Sequence, residues 1–201
     1  MQEALLKIPP EKRDRILNSA LEEFSNRDYE KASTNDIAQR AEVSKGLIFH
    51  YFGSKQALYE ALLDFAVEYV LQVLREGIDW GERDLFRRIQ QVMVLKFSVL
   101  QRYPSLFDFM KVSVRDIPLS RIKASFSPDI NTLLEELYTR NIDLSLFRPD
   151  VDVRQALEII QWTLQGVVET FWKEIPGTVD PADFMAHSEQ YLTTLRHAFY
   201  R

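Results

Sequence analysis

Three observations predict an all-α fold for this 201-residue chain. Apolar residues recur only with helical periodicity, with no stretch of strand-like alternation. Pro104, Pro118, Pro128 and Pro149 stand where helices should break or start. Most specifically, Ser33 to Lys55, STNDIAQRAEVSKGLIFHYFGSK, reads as two short helices joined by a tight turn and closed by a basic cap, the layout of a DNA-reading helix-turn-helix. No Gly-rich or Ser-rich linker divides the chain, so two modules would be joined through a helix. The expected organisation is a three-helix head over residues 1–54 and a larger helical body over residues 55–201.

A first helix is expected near Glu11 to Asn26 after Pro9 and Pro10, with Ile16, Leu17, Ala20, Leu21 and Phe24 as its buried stripe. The second starts at Ser33, whose hydroxyl can accept the Asp36 amide while the Asp36 carboxylate reaches back, a capping box in its Asp form. Ile37, Ala38 and Ala41 form its apolar face, and Glu42 and Val43 make the turn. Ser44 is placed to cap a third helix from Lys45 to Tyr51, ended by Gly53. With Ser54 as cap, a fourth helix runs from Lys55 to about Glu76, its inner face formed by Leu58, Ala61, Leu62, Phe65, Tyr69 and Val73.

The third helix has the chemistry of a groove-entering element. No acidic residue occurs from Val43 to Tyr59. Lys45, His50 and Lys55 provide donors for phosphate, and Ser44, Tyr51 and Ser54 add hydroxyls; such contacts set affinity and register. Gly46, without a side chain, would let the backbone and Leu47 approach base edges, where an apolar group can touch a thymine methyl.

These residues carry a resemblance. VSKGLIFHYFGSK followed by ALYEALL, with Asp36-Ile37-Ala38 upstream and a preceding helix ending EEFSNRDYEKAST, resembles the amino-terminal signature of the TetR family of bacterial transcriptional regulators, over roughly Arg13 to Leu63. The resemblance implies DNA contacts for Ser33, Thr34, Ser44, Lys45, Gly46, Leu47, Phe49, His50, Tyr51 and Lys55. Where Phe49 stands the family often has Tyr, so a hydroxyl contact to phosphate is missing here.

A net charge of −5 would argue against nucleic-acid binding if taken over the whole chain. Binding depends instead on local potential within a Debye length of about 8–10 Å, which the acid-free run around Lys45 to Lys55 supplies. The chain has no cysteine, which excludes disulfides, thiolate metal sites and thiol redox sensing. The start, MQEALLKIPPEKRDR, has no signal-peptide character, and the longest apolar runs are too short to span a bilayer. A cytoplasmic location is expected, with no membrane association.

Beyond Gly77 and Gly81 the helices become longer and more apolar. Asp84 to about Arg102 is apolar around most of its circumference and is expected to be buried centrally. A short helix near Ser105 to Val112, another from about Leu119 to Asn141, and two long ones at Asp152 to Lys173 and Pro181 to Tyr200 follow. The last two should pair, through Leu157, Ile160, Leu164, Val167, Val168 and Phe171 on one and Phe184, Tyr191, Leu192, Leu195 and Phe199 on the other. Thr163, Gly166 and Thr170 form a small-residue strip that admits intrachain packing or a homodimer interface. The resemblance favours the dimer.

Large apolar residues such as Trp80, Phe86, Phe109, Phe126 and Trp172 are ordinary core or the lining of a pocket. Gln161, Gln165 and Glu169 recur at four-residue spacing beside Trp162, either as polar anchors for a ligand or as a solvated stripe. Met93, Phe97, Phe107, Met110, Trp162, Gln165 and Glu169 are the candidate ligand-binding residues. Adjacent pairs Glu22–Glu23 and Glu135–Glu136 point to different parts of a helix surface and form no paired-carboxylate site. His187 and His197 are expected to be solvated, and no metal or cofactor motif, phosphate loop, nucleophile elbow or triad occurs.

The expected function is a ligand-responsive, DNA-binding transcriptional regulator without enzymatic activity. It would be a homodimeric repressor on double-stranded operator DNA, released by a small hydrophobic effector. The alternative is a DNA-associated adaptor whose acidic body binds a protein partner.

Overall fold

The computed structural model describes Leu5 and residues 7–116, 128–174 and 181–201. They form α1 (Pro10–Asn26), α2 (Thr34–Arg40), α3 (Lys45–Phe52), α4 (Lys55–Gly77), α5 (Leu85–Arg102), α6 (Leu106–Asp116), α7 (Pro128–Thr139), a 3-10 turn (Leu144–Leu146), α8 (Val153–Glu174) and α9 (Pro181–Phe199). The all-helical expectation holds, and most boundaries fall within two residues of the proline and cap signals. Two differ: α6 runs on to Asp116, and α7 is described only from Pro128, the expected start at Leu119 lying outside the described residues.

The chain divides into two compact units, one of Met1–Glu76 with Ser98–Thr132 and one of Gly77–Phe97 with Leu133–Arg201. In the first, the whole predicted stripe of α1 is buried, together with Ile37, Ala38 and Ala41 of the α2 region and Ile48 and Phe52 of α3. Leu58, Ala61, Leu62 and Phe65 of α4 join them, and Leu5 and Ile8 close the cluster ahead of α1. The last turn of α5 and the start of α6 add Val99, Tyr103, Leu106 and Phe109. Aromatic edges organise this core: Tyr59 meets Phe24 at 5.0 Å and Phe109 at 5.2 Å, and Tyr103 meets Phe65 and Tyr69 at 5.1 Å each.

Buried hydroxyls here find partners, as a low-dielectric interior requires. Tyr59 donates to Ser113 Oγ at 2.9 Å, and Ser113 donates to the Phe109 carbonyl at 2.8 Å. Tyr103 donates to one oxygen of Asp14 at 2.8 Å while Arg102 reaches the other at 3.0 Å. Asn18 donates to the Arg102 carbonyl at 3.2 Å, satisfying one orphan acceptor at the end of α5. One carboxylate on α1 thereby holds the α5–α6 corner.

In the second unit, Leu85, Phe86, Ile89, Met93 and Phe97 pack with Ala156 and Ile160 of α8 and Phe184, Leu192 and Leu195 of α9. The predicted pairing of α8 and α9 is present, except that Tyr191 lies outward beside His187, their rings 5.3 Å apart. His187 is half-buried, not solvated. Val168, Phe171 and Trp172 have side chains outside the described ones, and Phe126 lies wholly outside. The expectation of a centrally buried α5 is corrected: its buried residues lie on one side, while Arg87, Val94 and Gln101 are exposed, so the helix is amphipathic. Arg88 is fully buried, its guanidinium donating to the carbonyls of Trp80, Glu82 and Arg140 beside the Trp80 ring.

The carboxy terminus is clasped into this unit. Phe147 and Tyr200 form an isolated antiparallel bridge, Arg148 N donates to the Phe199 carbonyl at 2.9 Å, and Arg201 N to that of Leu146 at 3.0 Å. Tyr200 Oη accepts the Leu85 amide at 3.1 Å, and Arg196 meets Asp84 at 2.6 Å. Burial, and then the neighbouring Asp84 charge, push the Tyr200 hydroxyl up to about 12. A tyrosine is neutral when protonated, so the fold retains a proton that the unfolded chain releases near pH ~10. This contribution is complete below pH ~10 and is lost as pH rises through about 12. Tyr200→Phe should therefore flatten the alkaline fall of the urea midpoint; an identical fall in both proteins would contradict this.

Candidate nucleic-acid interface

The helix-turn-helix is positioned by a buried carboxylate. Glu23, near the end of α1, is 1% exposed, and its side chain accepts the Ser33 amide at 2.9 Å and Arg40 Nη2 at 2.5 Å. Arg27, one turn on, approaches it at 3.2 Å and bridges to Asp36 at 3.1 Å. Glu23 thus grips both ends of α2, through its N-cap backbone and its last residue. The capping box at Ser33 is half formed. Ser33 Oγ accepts the Asp36 amide at 3.2 Å as expected, but the amide of Ser33 goes to Glu23, and Asp36 instead accepts from the Ser33 hydroxyl at 3.1 Å. The reason is reach: Asp lacks the extra methylene with which Glu returns to the N-cap amide.

The turn between α2 and α3 is a Schellman motif. The Glu42 amide bonds the Gln39 carbonyl at 3.1 Å and the Val43 amide bonds that of Ala38 at 3.0 Å. Glu42 takes the left-handed conformation at φ 54, where glycine is the usual residue. Arg15 of α1 donates to the Ala41 carbonyl at 3.0 Å and ties the turn to the core. Ser44 caps α3 by accepting the Leu47 amide at 3.2 Å, as its position predicts. Gly53 ends α3 at φ 75, and Ser54 caps α4 by accepting the Ala57 amide at 3.0 Å.

With Ile48 and Phe52 turned into the core, α3 leaves the rest of its surface for contact. Ser44, Lys45, Gly46 and His50 are exposed, and Leu47, Phe49 and Tyr51 are half-buried. Lys45 lies 5.7 Å from the Phe49 ring centre, and the His50 and Tyr51 rings meet at 5.3 Å. Ser33 and Thr34 sit half-buried at the start of α2. Lys55 is different: half-buried, it donates to the Glu30 carbonyl at 3.1 Å and lies 4.7 Å from the Tyr29 ring centre. Arg27, Arg40 and Arg15 were not singled out from sequence, and Glu23 only as half of an acidic pair set aside. Only the i,i+4 spacing of Glu23 and Arg27 is a local signal; the contacts to Ser33, Arg40 and Ala41 are tertiary.

The candidate ligand residues fall into three groups. Met93 and Phe97 are buried in the second unit, while Phe107 and Met110 are half-buried against the core of the first. Trp162 is 67% exposed and Gln165 is exposed on the outer side of α8, close to Ile159 at 40%. A Cβ built at Gly166 meets nothing within 4 Å among the described residues, so packing among those residues does not account for that glycine. The side chain of Glu169 lies outside those described. Among the described residues, no three His, Asp or Glu side chains gather to hold a metal ion, and no helix is long and apolar enough to cross a membrane.

A capped helix-turn-helix on a helical body defines a DNA-binding transcriptional regulator. Residues 16–62 match the sequence model of bacterial regulatory proteins of the tetR family. The transcriptional repressor KstR2 of Mycolicibacterium smegmatis is 25% identical over 172 residues, covering 77% of each chain. A TetR family regulator from Chloroflexus aurantiacus superposes with a TM-score of 0.65 at 21% identity, covering 100% of this chain and 98% of that one. The fatty acid degradation regulator FadR from Bacillus halodurans does so at 0.62 with 19% identity, covering 94% and 96%. Over residues 16–62 the chain carries the DNA-binding region of the TetR family, and the relatives it matches are transcriptional regulators.

Two substitutions separate scaffold from contact. Glu23→Ala removes hydrogen bonds to a charged group at both ends of α2 and should cost about 2–3 kcal/mol in urea unfolding. A loss under about 0.5 kcal/mol would mean that α2 is held by apolar packing alone. At Gly46, the nearest atom to an added Cβ is Ser44 Oγ at 4.0 Å, so the free protein has room for alanine. Gly46→Ala should leave the melting temperature unchanged or slightly raised and weaken duplex binding about tenfold, through a lost close approach to bases. Unchanged binding would show that the start of α3 stays clear of the groove.

Proposed function

We propose that this protein is a homodimeric, cytoplasmic repressor that leaves its operator when a small lipophilic molecule binds its body. The exposed, acid-free surface of α3, held in place by Glu23, carries the reading. Residues 1–54 serve as the reader and residues 55–201 as the regulatory and dimerisation part. Ser33, Thr34, Ser44, Lys45, Gly46, Leu47, Phe49, His50 and Tyr51 face the duplex. Phosphate contacts dominate, and few side chains are left for bases.

Such a reader gains specificity by placing two α3 helices in successive major grooves, about 34 Å apart, on a near-palindromic site. The outer face of α8, with Ile159, Trp162, Gly166 and Thr170, supports a two-fold interface in which small residues let helices approach. Trp162 and Gln165 are therefore assigned to that face, with Glu169 on the same helix. Met93 and Phe97 in the second unit, and separately Phe107 and Met110 in the first, remain candidate effector residues. A lipophilic effector is favoured by their apolar character and by the likeness to a regulator of fatty acid degradation. An effector that prefers a body conformation with misplaced heads shifts the population off the operator, with coupling of about 1–3 kcal/mol.

Selection of bound duplexes from a random pool should yield a two-fold symmetric site with half-site centres one helical turn apart. A thermal-shift series with fatty acids and sterols should find ligands that stabilise the protein and release that site. Trp162→Glu should shift sedimentation towards monomer and lower operator affinity at least about tenfold, by placing like charges in the core of the interface. A dimeric Trp162→Glu protein with full affinity would remove α8 from the interface.

A further inference from the structure

Within the reading proposed above, the second unit holds a cation that the described fold leaves unsatisfied. Val94 and Lys96 of α5 are both open to solvent, Val94 at 54%. Residues two apart on a helix point about 200° away from each other, so on an amphipathic helix only one of the two looks outward. Val94 does so, on the side of Arg87 and Gln101. Lys96 stands at i+11, i+7 and i+3 from the buried residues Leu85, Ile89 and Met93, and therefore projects from the middle of the core-facing stripe. Solvent that reaches a side chain on that stripe reaches it from the core side of α5, which makes Lys96 the wall of a hollow and not a surface lysine.

The ammonium there lacks a counter-charge. Among the described residues it makes no hydrogen bond and no ion pair, and burial pushes it below the ordinary lysine value with no acid to offset the effect. A cation withdrawn from bulk water is unfavourable unless an anion meets it. Arg88 on the same helix is the contrast: it is buried too, but its guanidinium donates to the carbonyls of Trp80, Glu82 and Arg140. Tyr138 of α7 repeats the pattern of Lys96. It packs against the apolar cluster that contains Met93 and Phe97, burial pushes its hydroxyl up from the ordinary tyrosine value, and it makes no hydrogen bond among the described residues. The unit thus offers a cation, a neutral hydroxyl and an apolar wall, all without a polar partner of their own.

We infer that Lys96 is an effector-binding residue, and that the effector is a lipophilic carboxylate whose head group pairs with the Lys96 ammonium while its hydrocarbon part lies against Met93 and Phe97. The apolar residues alone would accept a neutral molecule as readily; the lysine gives the ligand its charge. A neutral molecule of the same skeleton would leave the ammonium unpaired and forgo a charge-assisted hydrogen bond. Preference for an acid over the matching alcohol therefore reports on Lys96 directly. A lysine that only supported the fold would alter stability alike with either probe.

The test measures thermal stabilisation, and release of the selected duplex, by octanoate, laurate, palmitate and the steroid acid lithocholate, each beside its primary alcohol. On the parent chain at least one acid should act at about tenfold lower concentration than its alcohol. Lys96→Met and Lys96→Gln remove the unpaired charge, should melt at the parent temperature or higher without ligand, and should lose the preference for the acid. Lys96→Arg keeps the charge and should keep the preference. Acids that act no better than their alcohols on the parent chain, or a preference that survives in Lys96→Met and Lys96→Gln, overturn the inference and leave a neutral lipophilic effector standing. If no acid or alcohol of the set stabilises the protein or releases the duplex, the lipophilic-effector reading fails and this inference falls with it.

Discussion

The reading surface depends on a carboxylate that never reaches it. Glu23 is buried on α1, yet it holds the N-cap amide of α2 and the arginine at the other end of that helix. A helix as short as Thr34–Arg40 has almost no stability of its own, since nucleation is unfavourable and few hydrogen bonds follow it. Its place must come from outside, and Glu23 supplies it at both ends. The burial is tolerable because the charge is compensated: Arg40 and Arg27 remain partly in water and neutralise it without desolvating fully. α3 then follows α2 through a turn whose amides and carbonyls are paired internally.

This division explains which parts were legible from sequence. Ser33, Ser44, Gly53 and Ser54 mark their helix ends because capping is local chemistry, and the structure honours each of them. The stripe Ile16, Leu17, Ala20, Leu21 and Phe24 was readable because burial of one helix face is periodic. Glu23 was passed over as half of an unremarkable acidic pair, because its partners lie ten and seventeen positions away and no spacing rule reaches them. Asp36 was credited with an amide that belongs to Glu23 for the same reason. Tyr191 sits on the helical period of its buried neighbours but points out beside His187, since a helix of moderate apolarity leaves the edge of its stripe undetermined.

The candidate DNA contacts came from donor chemistry and from resemblance, and the geometry sorts them. Ser44, Lys45, Gly46 and His50 stand exposed on one short helix, so sequence proximity was enough to bring them together. Lys55 shares their charge but not their surroundings. Charge counting treats every lysine of the acid-free run alike, whereas the Glu30 carbonyl and the Tyr29 ring decide where this one points. The apolar candidates of the body fared less evenly. Met93 and Phe97 share a core, Phe107 and Met110 share another, and Trp162 is in neither, because aromatic residues at helical spacing carry no information about which neighbour they will meet.

A reader with so few base-directed side chains is sensitive to how its helices are held. In the proposed complex, misplacing α3 by even a small rotation would affect every phosphate contact in concert, since such contacts set register and orientation for the whole element. In this chain, α1 is the common support: Glu23 and Arg15 hold α2 and the turn, while Asp14 and Asn18, both earlier on the helix than Glu23, hold Tyr103 and Arg102 at the α5–α6 corner. A helix is stiff along its axis, so a displacement imposed at Asp14 is carried to Glu23 with little loss. The same polar contacts that stabilise the fold are therefore the ones through which a movement of α5 or α6 would reach the reading surface. They are also discrete, so a change there switches between bonded and broken instead of grading smoothly.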